Sequence, residues 1–99
     1  MNVDLRPEAS DDLVSAASYF NEISSGWGDH FLASIERDLA DLKYEAGIHA
    51  SHYGLPYKFA KVFPFAIYYR IDQAVAVVYA ILSCRTDPDT HRSILEKRG

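Results

Sequence analysis

Ninety-nine residues, 48% of them hydrophobic and 24% charged, set the size and balance of one globular domain, residues 1–99. The single cysteine excludes an intrachain disulfide, and no apolar run reaches the roughly 20 residues that a membrane helix needs. A formal charge of −4 lowers the expectation of direct, specific DNA binding, because nucleic-acid affinity draws mainly on Lys and Arg neutralising phosphates. The charge is uneven: residues 2–45 carry ten acidic and three basic side chains, residues 46–99 four acidic and seven basic, so any anionic partner is expected on the second half.

Asn2–Arg6 (NVDLR) alternates, with Val3 and Leu5 on one side, and reads as an edge strand. Pro7 suits the first helical turn, and Glu8, Asp11 and Asp12 put negative charge near the N-terminal end of the helix dipole. Ala9, Leu13, Ala16, Ala17, Phe20 and Ile23 form one apolar face with helical spacing, ending near Ser24–Gly26. Trp27-Gly28-Asp29 opens a second helix in which Phe31, Ile35, Leu39 and Leu42 recur at intervals of four, four and three. His30, Arg37, Asp38 and Asp41 are expected to face out, and Gly47 ends the helix. The short connection predicts an antiparallel helical hairpin.

Ile48–Pro56 reads as a loop and Tyr57–Val62 as a strand, followed by a bend at Phe63-Pro64. The chain is organised around Val62–Cys84. Phe65, Ile67, Tyr69 and Ile71 alternate with Ala66, Tyr68 and Arg70, the period of a strand with one face in the core. Ala74–Leu82 is apolar on both faces, as in a strand inside a covered sheet. The two runs meet at Asp72-Gln73, too close for a crossover helix, so a hairpin is predicted despite the poor turn residues. Asp87 caps, and Pro88 begins, a short final helix over Asp89–Lys97 that buries Ile94 and Leu95. The order is β-α-α-β-β-β with a short C-terminal helix. The fold class is α+β, a helical hairpin packed on a mostly antiparallel sheet.

Candidate chemistry is sparse. His49 and His52 are spaced H-x-x-H without a third ligand, so no metal is expected. Cys84 reads as a buried, inert thiol ending the central strand. No Gly-rich phosphate loop, Ser-His-Asp pattern or nucleotide fingerprint is present, and no cofactor is expected. The basic group Lys58, Lys61, Arg70, Arg85 and Arg92, with His91, comes from the sheet and its exit. It could hold phosphates or simply protect a sheet edge. Tyr57, Phe59, Phe63, Phe65, Tyr68, Tyr69 and Tyr79 make the second half dense in aromatics. Those left on an open face would anchor a partner.

Asp12-Leu13, Ala16 and Tyr19-Phe20, then Gly28-Asp29-His30-Phe31 with Ile35 and Leu39, then Phe63-Pro64-Phe65-x-Ile67-x-Tyr69-Arg70 and Arg85-x-Asp87-Pro88, together resemble the RelE/ParE toxin superfamily. The likeness spans nearly the whole chain, and Phe63–Tyr69 is its most specific part. The resemblance implies the toxin of a type II toxin–antitoxin system, cytoplasmic, of the kind linked to growth arrest and plasmid stabilisation. Its cognate antitoxin would be a small protein whose disordered C-terminal segment folds on the toxin. ParE-like members inhibit DNA gyrase; RelE-like members are ribosome-dependent mRNA endoribonucleases. In the nuclease alternative the site would be Lys58, Lys61, Arg85 and His91. Ala66 stands where a RelE-like member is expected to carry arginine, and a missing preorganised cation weakens stabilisation of a charged transition state by several kcal/mol. With the acidic total, this favours a ParE-like member, with no catalytic residue and with Tyr57, Phe59, Tyr68, Arg70 and Arg85 as partner-binding candidates. An inactive member kept as an antitoxin-binding module is the third reading.

Overall fold

The computed structural model describes all 99 residues. The elements are β1 (Asn2–Leu5), α1 (Pro7–Ile23), α2 (Trp27–Glu45), β2 (Ser51–His52), β3 (Leu55–Phe59), β4 (Phe65–Asp72), β5 (Val75–Ser83) and α3 (Pro88–Arg98). One five-stranded sheet runs in the order β1-β5-β4-β3-β2. β1 lies parallel to β5 and the remaining neighbours are antiparallel. The α+β architecture expected from the sequence is present, with one additional strand.

The two helices form as their apolar spacing predicts. Pro7 occupies the first turn of α1, and the Ser24–Gly26 turn, with Gly26 at φ +89°, restarts the chain into α2. Gly28 lets the helices approach closely: a Cβ there would lie 2.4 Å from the Ala17 carbonyl oxygen, and its N–H donates to Asn21 Oδ1 at 2.8 Å. The hairpin lies on one face of the sheet, where Phe31, Ile35 and Leu42 meet Phe65, Ile67, Tyr69, Ala76, Val78 and Ile81. A smaller cluster on the other face joins Leu55, Ala66, Tyr68, Ala80 and Leu82 to Leu95 of α3. α3 is capped as predicted, with the Asp87 carboxylate accepting from the Asp89 N–H at 2.9 Å.

Several expectations are corrected. Ser51–His52, read as loop, is a short strand that doubles back on β3 through Tyr53-Gly54, both at positive φ. Two residues are too few to show a period of two. β3 starts at Leu55 and ends at Phe59, not at Val62. The β4–β5 turn is Gln73-Ala74, at φ 49° and 63°. Two non-glycine residues hold the left-handed turn because eight cross-strand partners over-determine it. Tyr79 is an extra residue in β5: Tyr68 faces Ala80 while Tyr69 faces Val78. This bulge breaks the simple alternation, so Ala76, Val78 and Ile81 reach the hairpin side while Ala80 and Leu82 reach the other. Asp38, expected to face out, is only 1% exposed, and Ile23, expected in the core, is 58% exposed.

Candidate functional site

The basic residues do not converge. Lys58 is buried on the helix side, its Nζ donating to the Asp38 carbonyl oxygen at 2.9 Å and to Glu45 Oε1. Lys61 lies beyond the end of β3 and pairs with Asp41 at 2.9 Å on the same side. The spacing of three between them loses its meaning because the strand ends at Phe59. Asp38 completes this polar seam. Burial pushes its carboxyl up, opposed by a Lys61 backbone N–H and by the Lys58 and Lys61 ammonium groups, and Oδ2 has no hydrogen-bond partner.

The opposite face holds a cleft of about 190 Å³ between the β2–β3 turn and the start of α3, lined by His52, Tyr53, Tyr57, Phe59, Ala66, Tyr68, Cys84, Thr86, Pro88 and His91. No Lys or Arg is among them. His52 stacks on Tyr53, ring centroids 4.1 Å apart and planes 9° off parallel. His91 is buried and held at both ring nitrogens. Nε2 lies 2.8 Å from the Ser83 carbonyl oxygen, which only accepts, so Nε2 carries a proton. In the neutral ring Nδ1 then accepts from the Tyr68 hydroxyl at 3.1 Å. Burial, then the nearby Tyr53, pushes that hydroxyl up to about 12, so Tyr68 stays protonated and serves as a donor. Cys84 is exposed, contrary to the buried thiol expected, because the chain leaves the sheet at Ser83. Partial burial still pushes the thiol up and away from the thiolate form that attacks. The cleft is aromatic and neutral. It can stack a planar or apolar group but offers no cation to a phosphorane-like transition state.

A larger groove, about 610 Å³, runs between α1 and the outer end of β5. Phe20, Phe63 and Phe65 form its floor, with Phe20 and Phe63 ring centroids 5.0 Å apart. Tyr19, Ile23 and Trp27 stand on its rim, 60%, 58% and 48% exposed. Arg85 also lines the groove, and its guanidinium belongs to none of the ion pairs of the fold. The four nuclease candidates are therefore split three ways: Lys58 and Lys61 under α2, His91 in the neutral cleft, and Arg85 in the groove. Among the partner-binding candidates, Tyr57 and Phe59 border the cleft and Tyr68 is buried in it. Arg70 is exposed and lies over the Tyr79 ring at 5.3 Å. Sequence reasoning missed the groove itself. Its one signal was Ile23 and Trp27, large apolar residues at the end of one helix and the start of the next.

A solved structure described as the chromosomal ParDE TA system from P. aeruginosa contains a chain similar to this one. The TM-score is 0.75, with 15% identity over 84% of this chain and 95% of that one. The chain has a RelE/ParE-type fold. No family model matches the sequence, and no curated protein matches it. At this identity the likeness is one of fold. No helix is long and apolar enough to cross a membrane, and no group of three or more His, Cys, Asp or Glu side chains is placed to hold a metal ion.

Proposed function

We propose that this chain is the toxin of a type II toxin–antitoxin pair, that it acts on DNA gyrase rather than by cleaving mRNA, and that a cognate antitoxin neutralises it. The fold supports the toxin reading, and its likeness is to a chain of a ParDE TA structure. The observation that carries the choice of target is the uncharged cleft. Where a ribonuclease on this sheet needs cations around a scissile phosphate, Ala66 lines the wall, His91 is engaged at both nitrogens, and both lysines are bound to carboxylates or carbonyls on the far face. Moving Lys58 into the cleft would require leaving Glu45 and crossing a five-stranded sheet.

Gyrase inhibition needs a binding surface and no reacting group. The aromatic rim of the α1 groove and the exposed Phe59 supply apolar surface that the chain does not cover itself. Pulse-labelling in the first minutes after tightly controlled induction tests the reading. DNA synthesis falling before protein synthesis is the expected result, with Arg85→Ala plus His91→Ala retaining an effect in proportion to the folded fraction. Protein synthesis falling first, with cleaved mRNA on ribosomes, would replace the gyrase reading by the nuclease. Unimpaired growth on induction would leave an antitoxin-binding module.

A further inference from the structure

The cleft on the open face of the sheet is walled by rings set at angles to one another. Tyr57 is its centre: the ring centroids of Phe59, His52 and Tyr68 lie 5.3, 5.6 and 5.9 Å from its own. Phe59 stands at 79° to Tyr57, and His91 at 88° to Tyr68, so two neighbouring pairs of rings meet as corners rather than as one stack. Ala66 faces Phe59 across the β3–β4 pairing, and its methyl leaves the space that a longer side chain would fill. The open volume is about 190 Å³, about six water molecules' worth and below the usual size of a pocket for a drug-sized ligand. That is room for a head group of a few heavy atoms.

The chemistry of the walls selects the sign of that group. Ring faces carry the negative part of the aromatic quadrupole, and no Lys or Arg lines the cleft to repel a cation. The N-terminus of α3, whose dipole opposes a cation, borders the cleft at Pro88, and the carboxylates of Asp87 and Asp89 stand at that end and offset it. The type of cation follows from hydrogen bonding. No carboxylate lines the cleft, the Ser83 carbonyl beside it is taken by His91 and by the Thr86 N–H, and the Tyr68 hydroxyl is turned to His91 Nδ1. A primary ammonium or a guanidinium would bring in N–H groups that need strong acceptors, and only neutral side chains are left to meet them. A quaternary ammonium has no N–H to satisfy. We propose that this cleft binds a quaternary ammonium group, its methyl groups seated on Ala66 and its charge against the rings of Tyr57, Phe59 and Tyr68.

The site and the toxin reading stand independently, because one concerns a small cationic group and the other a macromolecular target. The folded chain is titrated at about pH 8, where an ordinary imidazole is neutral, with three probes. They are choline, its uncharged isostere with carbon in place of the quaternary nitrogen, and a peptide bearing trimethyllysine. Binding is followed by amide shifts and by nuclear Overhauser contacts from the ligand methyls. Choline should saturate with a dissociation constant of about 1 mM or below, its methyls in contact with the Tyr57 and Phe59 rings, and the isostere should bind at least about tenfold more weakly. Phe59→Leu, at an exposed position, should weaken choline about three- to fivefold, and Tyr57→Leu about tenfold, while Tyr57→Phe keeps the ring and stays within about threefold of wild type. The tighter of choline and the peptide identifies the free or the chain-borne source of the same group, and either order supports the proposal. An isostere that binds as well as choline would make the cleft a plain apolar slot and overturn it. Ligand contacts outside the cleft, or no saturation by either charged probe at about 10 mM, would do the same. So would a nucleoside monophosphate that binds more tightly than choline.

Discussion

The Asp12–Arg98 pair ties the first helix to the last turn of the chain, and its energy can be worked from its surroundings. Arg98 donates to both Asp12 oxygens, Nη1 to Oδ2 at 2.6 Å and Nη2 to Oδ1 at 2.9 Å, a forked pair. The side chains are 13% and 19% exposed, and the hydrogen bond to Asp12 raises the Arg98 pKa. Exposed pairs contribute up to about 1 kcal/mol, whereas removing one partner of a buried pair costs about 3–5 kcal/mol. Partial exposure places Asp12→Ala between these, at about 2–3 kcal/mol, including the Ile81 N–H left without an acceptor. For a domain of this size that is a fall in Tm of roughly 10–20 °C. Asp12→Asn keeps an acceptor for Ile81 and loses the charge, so it should cost about 1 kcal/mol less. Urea denaturation of wild type, Asp12→Ala, Arg98→Ala and the double variant gives the coupling, expected at about 1.5 kcal/mol. A coupling below about 0.5 kcal/mol would show that the fork is a surface contact and that the β5 edge is not guarded by it.

Three further outcomes follow from other parts of the fold. Gly28→Ala places a methyl against the Ala17 carbonyl oxygen and the Asn21 side chain, and should destabilise by about 1–3 kcal/mol in thermal unfolding, through separation of the helices rather than loss of helicity. Asp38 has its carboxyl raised by burial, so the folded state favours the protonated form. Its contribution to stability is complete below the ordinary carboxyl range and is lost as pH rises through its higher folded value. Asp38→Asn should therefore raise Tm at pH 7 and leave it nearly unchanged at pH 4; a Tm equal to or lower than wild type at pH 7 would contradict this. His49 is shifted the other way, its pKa lowered chiefly by burial, and its Nδ1 sits 2.6 Å from the Tyr69 hydroxyl. Its contribution is complete above the ordinary imidazole range and falls away as pH drops through the lower folded value. Stability measured from pH 7 to pH 5 should lose part of its slope in His49→Asn, and an identical slope would refute the assignment.

What the sequence could reveal divided along physical lines. The helical hairpin and the β4–β5 pair were legible because each buries one face over many residues, so Phe31, Ile35, Leu42, Phe65, Ile67 and Tyr69 repeat at the period of their element. β2 was not, because two exposed residues carry no period, and the Tyr79 bulge was not, because every residue around it is apolar. Charge was the least legible property. Asp38 looked like a solvent residue among Arg37 and Asp41, and its burial is offset by the Lys61 backbone N–H and then by the Lys58 and Lys61 ammonium groups, which only the fold brings to it. The basic second half was read as one group, and the fold disperses it to two faces and an edge.

That dispersal decides what the sheet can do. A residue on β3 or β4 serves the helix side or the open side according to parity, and a strand that ends three residues early takes Lys61 out of that alternation. Lys58 falls on the helix side, where Glu45 and the Asp38 carbonyl hold it. Lys61 falls past the strand end and pairs with Asp41. Ala66 has the parity that places it in the cleft, and it is an alanine. The cleft on the open face is thus lined by rings and holds no lysine or arginine, with Arg70 lying over the Tyr79 ring outside it, while the one arginine that lines either cavity, Arg85, stands in the groove beside an unpaired stretch of β5.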